Sequence, residues 1–367
     1  MNTQTTDLSS SVLLKALHQE TTERTPVWFM RQAGRSLPEY RKVRGVESIL
    51  KVLQSPELAA EITLQPVRRY QVDAAILYSD IMAPLANLGI GIDIVAGVGP
   101  VIEEPMRSMR DVERLRAVDP SIDLAPMAAA VALCVQELTV PLIGFCGGPF
   151  TIASYLVEGR PSRTHATIKT LMLQEPEVFH ELASRLVDIA IATLTVQVDQ
   201  GASVVQIFDS WIGTLSPWMF RTWVRPHLQR LAEASARLGV PVIYFGVETA
   251  GLLEDLADLG FPALGLDWRI DLGNAATRLG SQVALQGNLD PSILLAPTET
   301  VLAATENVLT ASAKAKGYIF NLGHGVLPET NPDTLAAIVE LVHQRGASLR
   351  GAAGLPATPD RAAGASR

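Results

Sequence analysis

Eight short apolar runs recur along this 367-residue chain, and their spacing limits the fold more than any other feature of the sequence. The runs are rich in Val, Ile, Leu or aromatic residues, and most begin near a proline or a glycine. Continuous apolar runs of this length are typical of strands buried on both faces of a parallel sheet. The predicted strands are 27–30, 73–80, 141–147, 202–210, 240–247, 263–269, 283–290 and 317–325.

Helical patterns separate the predicted strands. Residues 55–70 have apolar residues at helical spacing, with Pro56 at the first helical position, and Pro66 is expected to kink this helix or end it early. Segments 248–260 and 272–280 each end on a glycine, in the position expected of a helix cap. Alternating strands and helices indicate the α/β class, and eight such units predict a single (β/α)8 TIM barrel. A doubly wound open sheet is the alternative, although no GxGxxG motif opens a helix after the first predicted strand.

The predicted barrel occupies residues 10–348 as one domain without a linker. A long insertion joins its second and third strands, and the glycines and β-branched residues of 87–105 predict a hairpin there. Residues 1–9 are predicted to be disordered, as is the small, Pro/Gly/Ala-rich tail 349–367.

Composition excludes several classes of protein. The formal charge of −8 argues against a general nucleic-acid binder, which needs a broad basic face. The two cysteines, Cys134 and Cys146, form no disulfide framework, and the polar N-terminus lacks the apolar core of a signal peptide. The uncharged run 138–157 contains glycines and prolines that fit strand, turn and helix better than a membrane span. We therefore expect a cytoplasmic protein that does not enter a membrane.

Polar residues follow the predicted strands at their carboxyl ends, where TIM-barrel enzymes carry their chemistry. After strand 1 the stretch 31–44 holds five cations against one anion, Glu39, in a chain that is acidic overall. The other strand ends contribute fewer polar residues. The candidate positions are Arg31, Arg35, Asp80, Tyr155, Asp209, Ser210 and His324.

Each candidate also has a purely structural interpretation. Asp80 and Ser210 can cap the helices that follow them, Tyr155 can be a core aromatic, and His324 can be a turn residue. Charge runs such as 31–44 are most often solvated faces. The placement of all these residues at one end of one barrel favours a functional site over these separate interpretations.

The residue types limit what such a site can hold. Arginines match carboxylates and phosphates bidentately, which indicates a polycarboxylate or a phosphate ligand. An ionised aspartate only accepts hydrogen bonds, so Asp80 requires a ligand that donates them. A Schiff-base aldolase is disfavoured because no lysine lies on a predicted strand. A metal site is also disfavoured, because the sequence has no HxxxH motif, no Cys–His pair and no clustered carboxylates.

From about residue 10 to 345, the chain closely resembles the uroporphyrinogen decarboxylase family. The resemblance rests on TPVWFMRQAGRSLPEYRKVR, LYSDIMAPLANLGIGIDIVAGVGPVI, GFCGGPFTIASYLVEG, QIFDSWIG, GLDW, LQGNLDP and FNLGHGVLPET, which occur in this order. It implies a (β/α)8 barrel, a homodimer and no cofactor or metal. It also implies removal of CO₂ from the four acetate side chains of uroporphyrinogen III, which gives coproporphyrinogen III in tetrapyrrole biosynthesis.

The resemblance also implies the site residues. Arginines at the rim are expected to hold the substrate's carboxylates, and Asp80 is expected to accept its central pyrrole N–H groups. Asp80 and Arg31 are the expected catalytic residues. The expected substrate-binding residues are Arg31, Gln32, Ala33, Gly34, Arg35, Asp80, Tyr155, Ser210 and His324.

The sequence departs from the family pattern at Cys146, at Phe150 and in the added Arg160 and Arg163, all of which concern the cleft wall. Two other functions stay open. One is a corrinoid-linked methyltransferase of the same superfamily, which would bind zinc through His and Cys. The other is a non-catalytic tetrapyrrole-binding protein. The tryptophans of 211–223 are expected either to fill the core or to form the dimer interface.

Overall fold

The computed structural model describes residue 8 and residues 10–34, 36–95 and 97–353. The predicted disorder of 1–9 and 349–367 falls mostly outside these residues, and the last helix crosses the predicted boundary at 348 to end at Ala353. Arg35 also lies outside the described residues.

Nine strands form two sheets within the described residues. Seven strands form one curled parallel sheet, ordered β1-β4-β5-β6-β7-β8-β9, and the other two form an antiparallel hairpin. In chain order the strands are β1 Ala75–Ile76, β2 Ile92–Val95, β3 Gly99–Ile102, β4 Leu142–Gly147, β5 Val204–Asp209, β6 Val242–Gly246, β7 Ala263–Gly265, β8 Ala284–Gln286 and β9 Tyr318–Ile319.

Helices connect the parallel strands and pack outside them. The α-helices are α1 Val12–Leu17, α2 Pro38–Arg44, α3 Ile49–Val52, α4 Pro56–Tyr70, α5 Ala83–Asn87, α6 Met109–Val112, α7 Pro120–Asp123, α8 Ala125–Glu137, α9 Pro149–Glu158, α10 Ala166–Gln174, α11 Pro176–Asp199, α12 Pro217–Met219, α13 Arg225–Ala236, α14 Leu253–Ala257, α15 Leu272–Leu279, α16 Thr298–Ala311 and α17 Pro332–Ala353. Short 3-10 turns lie at Ile212–Thr214, Thr249–Gly251, Pro291–Leu295 and Ser312–Lys314, and a π-helical turn lies at Phe220–Val224. Among the described residues, no helix combines the length and apolar character needed to cross a lipid bilayer.

Seven of the predicted strand positions coincide with β1 and β4–β9, although the strands are shorter than the apolar runs. The prediction of a strand at 27–30 is wrong in extent, because Val27 forms only an isolated parallel bridge with Phe320. Pro26 has no N–H for a ladder, and the backbone turns at Arg31 with φ 61°, so little room is left for a strand. The segment nevertheless bonds to both edges of the sheet: Phe320 N–H donates to Pro26 O (2.8 Å) and Asp73 N–H donates to Val27 O (2.8 Å).

The predicted helices are present with adjusted ends. α4 begins at Pro56 as expected, and Pro66 does not end it, since the helix continues to Tyr70. α15 ends against Gly280, which has the positive φ of 59° that favours glycine. The predicted helix 248–260 is divided into the 3-10 turn and the shorter α14.

The predicted hairpin is present as β2 and β3, which pair with Ile92 opposite Ile102 and Val95 opposite Gly99. Ile102 N–H donates to Gly159 O (2.8 Å), so the hairpin is fastened to the end of α9. This excursion therefore lies over the carboxyl ends of β1 and β4, where the cavity described next is found.

Candidate active site

A cavity lies at the carboxyl ends of the parallel strands, at the place that the sequence predicted. Its apolar walls include the aromatic side chains Phe145, Phe208 and Phe245, and the hairpin contributes Ile94 and Pro100. Six of the predicted site residues line this cavity. They are Arg31, Ala33, Gly34, Asp80, Ser210 and His324.

Arg31 is held in place by its own backbone and by a glycine opposite. Its φ of 61° is in the left-handed region, which is uncommon for residues other than glycine. Its side chain lies directly on Gly325, where an added Cβ would stand 2.4 Å from Arg31 Cδ and 2.7 Å from Cγ. The glycine of the GHG sequence therefore makes room for the arginine stem.

Asp80 lines the cavity and also forms the turn that starts α5. Its Oδ1 accepts a hydrogen bond from Met82 N–H (2.9 Å), and its backbone carbonyl accepts one from Ala83 N–H (3.0 Å). The structural and functional interpretations of this residue are therefore compatible. The turn fixes the carboxylate at the cavity wall.

His324 Nδ1 accepts the N–H of Gly325 at 2.7 Å. In the neutral ring the hydrogen then resides on Nε2, which makes Nε2 the donor. The ring is bordered by Phe245 and Trp268, with centroids 6.1 Å and 6.5 Å away. A histidine donor at this rim suits an anionic ligand.

Tyr155 does not line the cavity wall but lies close behind it on α9. Its ring packs edge-on against Trp211, with centroids 6.1 Å apart. Burial raises the pKa of Tyr155, and Asp80 and Arg31 are near enough for their charges to act on that pKa in opposite directions. The phenol therefore stays protonated as a neutral hydrogen-bonding group.

Gln32 occupies a different environment from its neighbours. Its side chain is buried, Oε1 accepts from Phe29 N–H (3.0 Å) and Nε2 donates to Ala74 O (2.9 Å). Both ends of the amide thus fasten the turn at Arg31 to the start of β1. The structure does not bring this side chain to the cavity.

A fully buried carboxylate, Asp209, braces the wall that carries Ser210. It accepts hydrogen bonds from Thr151 N–H (3.0 Å), Thr151 Oγ1 (2.6 Å) and Tyr244 O–H (3.0 Å). Burial raises the pKa of Asp209, while these hydrogen bonds lower it. Trp211 N–H in turn donates to Thr151 Oγ1 (3.0 Å), so the brace holds both neighbours of Ser210 in the chain. Sequence reasoning placed Asp209 at the strand end but assigned it no role.

Two tyrosines in the cavity wall, Tyr40 and Tyr78, were missed by the sequence analysis. Their hydroxyl oxygens are 3.0 Å apart. Tyr78 belongs to the predicted strand 73–80 that ends in Asp80, so its place near the cavity was the more predictable half of the pair. Tyr40 lies on α2, and no local pattern places it opposite Tyr78.

The remaining sequence expectations concern cysteines and arginines near the wall. Cys146 is buried within β4, and burial raises the pKa of its thiol above the ordinary value. Arg160 and Arg163 are exposed. In the part of the chain that the structure describes, no three His, Cys, Asp or Glu side chains are grouped closely enough to hold a metal ion.

Comparisons with known proteins agree on one family. The family model described as uroporphyrinogen decarboxylase (URO-D) matches residues 8–345. A relative from Salinispora tropica named uroporphyrinogen decarboxylase is 50% identical over 339 residues, which cover 92% of this chain and 91% of that protein. One of the same name from Streptomyces coelicolor is 53% identical over 334 residues, which cover 91% and 94%.

Among solved structures, a methyltransferase from Methanosarcina mazei superposes with a TM-score of 0.77. The alignment covers 91% of this chain and 98% of the methyltransferase, at 20% sequence identity. A likeness at this identity shows a shared fold and does not assign a reaction.

Proposed function

Because the chain belongs to the uroporphyrinogen decarboxylase family, we propose that its cavity binds uroporphyrinogen III and that the protein removes CO₂ from all four acetate side chains. Family membership makes the chain a carboxy-lyase of tetrapyrrole biosynthesis. The product of four decarboxylations is coproporphyrinogen III, and we expect no cofactor or metal requirement. The observation that carries the proposal is the meeting of Arg31, Asp80 and His324 in one aromatic-walled cavity.

The polar groups of the cavity complement those of the substrate. Uroporphyrinogen has eight carboxylates around its rim and four pyrrole N–H groups at its centre. Arg31 and Arg35 are proposed to bind carboxylates, which accept the bidentate guanidinium fork. Asp80 is proposed to accept the central N–H groups, since a carboxylate is an acceptor only.

Ser210, His324 and Tyr155 are proposed to orient the macrocycle. His324 Nε2 is a donor in the neutral ring, and Ser210 is fixed through the Asp209 brace. Ala33 and Gly34 supply backbone beside the ring, and Gly34 has a φ of 121°, a conformation that favours glycine. The side chain of Gln32 supports this wall from behind.

The reaction is proposed to use the pyrrole ring as its own electron sink. Protonation of a pyrrole carbon next to the acetate-bearing position gives a cation. The bond from the side-chain methylene to the carboxylate then breaks, CO₂ leaves, and the electron pair neutralises the ring. A second proton adds to the methylene carbon to form the methyl group, and the proton first placed on the ring carbon then leaves, which restores the aromatic pyrrole. One proton is thus consumed for each CO₂ released. The fixed negative charge of Asp80 stabilises the cation, which is preorganised electrostatic catalysis.

Arg31 is the second proposed catalytic residue. A guanidinium is a very weak acid, so its contribution requires close contact with the ring. Either Arg31 itself, held against the ring by Gly325, or a water molecule carries the proton. The contact between Arg31 and Gly325 supports a fixed position for the guanidinium.

We propose that the curled sheet closes into a (β/α)8 barrel, with the predicted first strand, 27–30, joining it through Val27, and with a long insertion between the second and third strands that contains the hairpin. The hydrogen bonds from residues 73 and 320 to this first-strand segment support closure.

A cytoplasmic homodimer is also proposed. Trp218 is 60% exposed and packs edge-on against Trp223, with centroids 4.8 Å apart, whereas Trp211 faces Tyr155. An exposed tryptophan packed on a half-buried one is typical of interface residues. Sedimentation at micromolar concentration should show twice the chain mass of 39.4 kDa, and only the single mass would contradict the dimer.

The direct test is anaerobic incubation with uroporphyrinogen III, followed by counting of product carboxylates. A product with four carboxylates and release of CO₂ support the proposal. Binding without CO₂ release would indicate a tetrapyrrole-binding protein. Stoichiometric zinc together with loss of activity on chelation would contradict the metal-free reaction and favour a corrinoid-linked methyltransferase.

A further inference from the structure

The hydroxyl groups of Tyr40 and Tyr78 form a pair in the cavity wall. The side chains come from α2 and from the residues just after β1, and both residues line the cavity while being 5% and 8% exposed. The oxygens are 3.0 Å apart, and the rings are tilted at 59° with centroids 5.7 Å apart. The pair therefore joins α2 to the segment that carries Asp80.

A count of hydrogens shows what the pair can offer a ligand. Two phenols carry two hydroxyl hydrogens, and the bond between them uses one. No acceptor for the second hydrogen is found within the described part of the chain. Burial raises the pKa of Tyr78 above its ordinary value, so its hydroxyl keeps its hydrogen at neutral pH. The second hydrogen is polarised by the first bond, which strengthens it as a donor.

A cation beside the pair favours an acceptor on the ligand. The guanidinium carbon of Arg44 lies 5.8 Å from the centre of the Tyr40 ring. Asp80 follows Tyr78 by two residues, lines the same cavity, and is near enough for its charge to act on the pKa of Tyr78. A ligand group at the pair would thus lie beside the residue proposed to bind the pyrrole N–H groups.

The chemistry of the substrate identifies that group, and this step rests on the proposed function. The pyrrole nitrogens of a porphyrinogen carry hydrogens and act as donors, so its strong acceptors are its carboxylates. We propose that the Tyr40–Tyr78 hydroxyl pair binds one side-chain carboxylate of the tetrapyrrole and positions the ring over Asp80. The two tyrosines are positioning residues, since they donate to a group at the rim and not to the reacting carbon.

The proposal is tested with Tyr40→Phe, Tyr78→Phe and the double variant, assayed for kcat and KM on uroporphyrinogen III. Removing a hydrogen bond to a charged acceptor should lower kcat/KM by about 10- to 100-fold. The loss should appear mainly in KM, because the carboxylate is bound equally in the ground and transition states. The more affected single variant identifies the tyrosine that donates to substrate.

The double variant separates one shared donor from two independent contacts. If the pair presents a single hydrogen, the double variant should match the more affected single variant within about threefold, as expected for residues that act as a unit. The control is Tyr70→Phe, which removes a buried hydroxyl outside the cavity and should leave kcat/KM unchanged.

Two results would overturn the inference. One is a folded double variant whose kcat/KM is within about threefold of wild type, and the other is additive losses from the two single variants. If one single variant fails to fold, the other still decides, because each breaks the pair. Absence of CO₂ release by the wild-type enzyme would instead refute the proposed function, so the two failures are distinguishable.

Discussion

Replacing Asp80 by Asn separates the two roles that the structure gives this carboxylate. Asp80 Oδ1 accepts the Met82 N–H at 2.9 Å, and an amide oxygen can make the same bond. The turn before α5 should therefore persist, with a stability cost within about 1 kcal/mol. The NH₂ group of the variant would then take the place of Oδ2, and under the proposed function it would meet a ligand whose central groups are donors themselves.

The expected effect on rate follows from charge and distance. If Asp80 accepts the pyrrole N–H groups, the charge centre of the protonated ring lies about 5 Å from the carboxylate. At an effective dielectric constant of about 20, the attraction is about 3 kcal/mol. Losing it should slow the reaction by about 10²-fold. The juxtaposed donors add to this, so we expect a loss of about 10²- to 10³-fold, the scale seen when one preorganised group is removed.

The assay is decarboxylation by Asp80→Asn and Asp80→Glu, with thermal melts of each variant. Glu keeps the charge but moves it by one methylene, so its activity should lie between those of Asn and wild type. A matched control is Asp119→Asn, because Asp119 Oδ1 accepts Ser121 N–H at 3.0 Å in the same turn geometry and lies outside the cavity. A stable Asp80→Asn enzyme with wild-type kcat/KM would reduce Asp80 to a capping residue and refute the charge-stabilised cation.

Three further outcomes are expected. Replacing Arg31 or Arg35 by Ala should lower kcat/KM by the equivalent of about 1.5–3 kcal/mol. Lys at the same position should restore only part of this activity, because the bidentate guanidinium fork is lost. Wild-type kinetics of the Ala variants would show that these arginines are merely solvated. Gly325→Ala should displace the side-chain stem of Arg31, because the new Cβ would lie 2.4 Å from Arg31 Cδ, and it should lower kcat/KM by about 10-fold or more. The control is Gly273→Ala, whose new Cβ meets no atom closer than 3.5 Å and which should leave kcat/KM unchanged. Burial, followed by the charge of the neighbouring His180, lowers the pKa of His227 to about 4. The stability that depends on a neutral His227 is therefore present above its unfolded pKa of about 6.5 and is lost as pH falls towards 4. Thermal melts of His227→Gln should show a weaker fall in Tm over this pH range, and an unchanged profile would contradict the assignment.

The strand positions could be predicted because parallel strands buried on both faces appear in the sequence as uninterrupted apolar runs. The run 141–147 became β4, Leu142–Gly147, almost without change. The run 27–30 has the same composition but forms only a bridge, because Pro26 lacks a donor and the chain leaves the extended conformation at Arg31. Composition indicates burial, whereas the extent of a ladder depends on backbone angles that apolar patterning does not encode.

The site was predictable to the extent that topology alone brings residues together. Asp80, Ser210 and His324 follow strands, and parallel strands place their carboxyl ends at one edge. Tyr40 comes from a helix, and its meeting with Tyr78 depends on how α2 packs, which no local pattern specifies. The different environments of two residues adjacent in the sequence were also unpredictable. Arg31 enters the cavity while Gln32 turns inward, because a left-handed residue changes the direction of the chain between them.

The positive charge of residues 31–44 in an acidic chain has a structural basis in a neighbouring helix. Glu39 is the single acidic residue of that stretch, and its Oε1 lies 2.6 Å from Arg69 Nη1 on α4. Glu39 is thus paired with Arg69, and neither residue lines the cavity that Arg31 lines. The potential at the mouth is therefore set by groups within a few ångströms, since charges on the remaining surface are screened beyond about 10 Å at 0.1 M salt. An acidic protein can in this way place an arginine such as Arg31 at a site proposed to bind carboxylates, whatever its net charge.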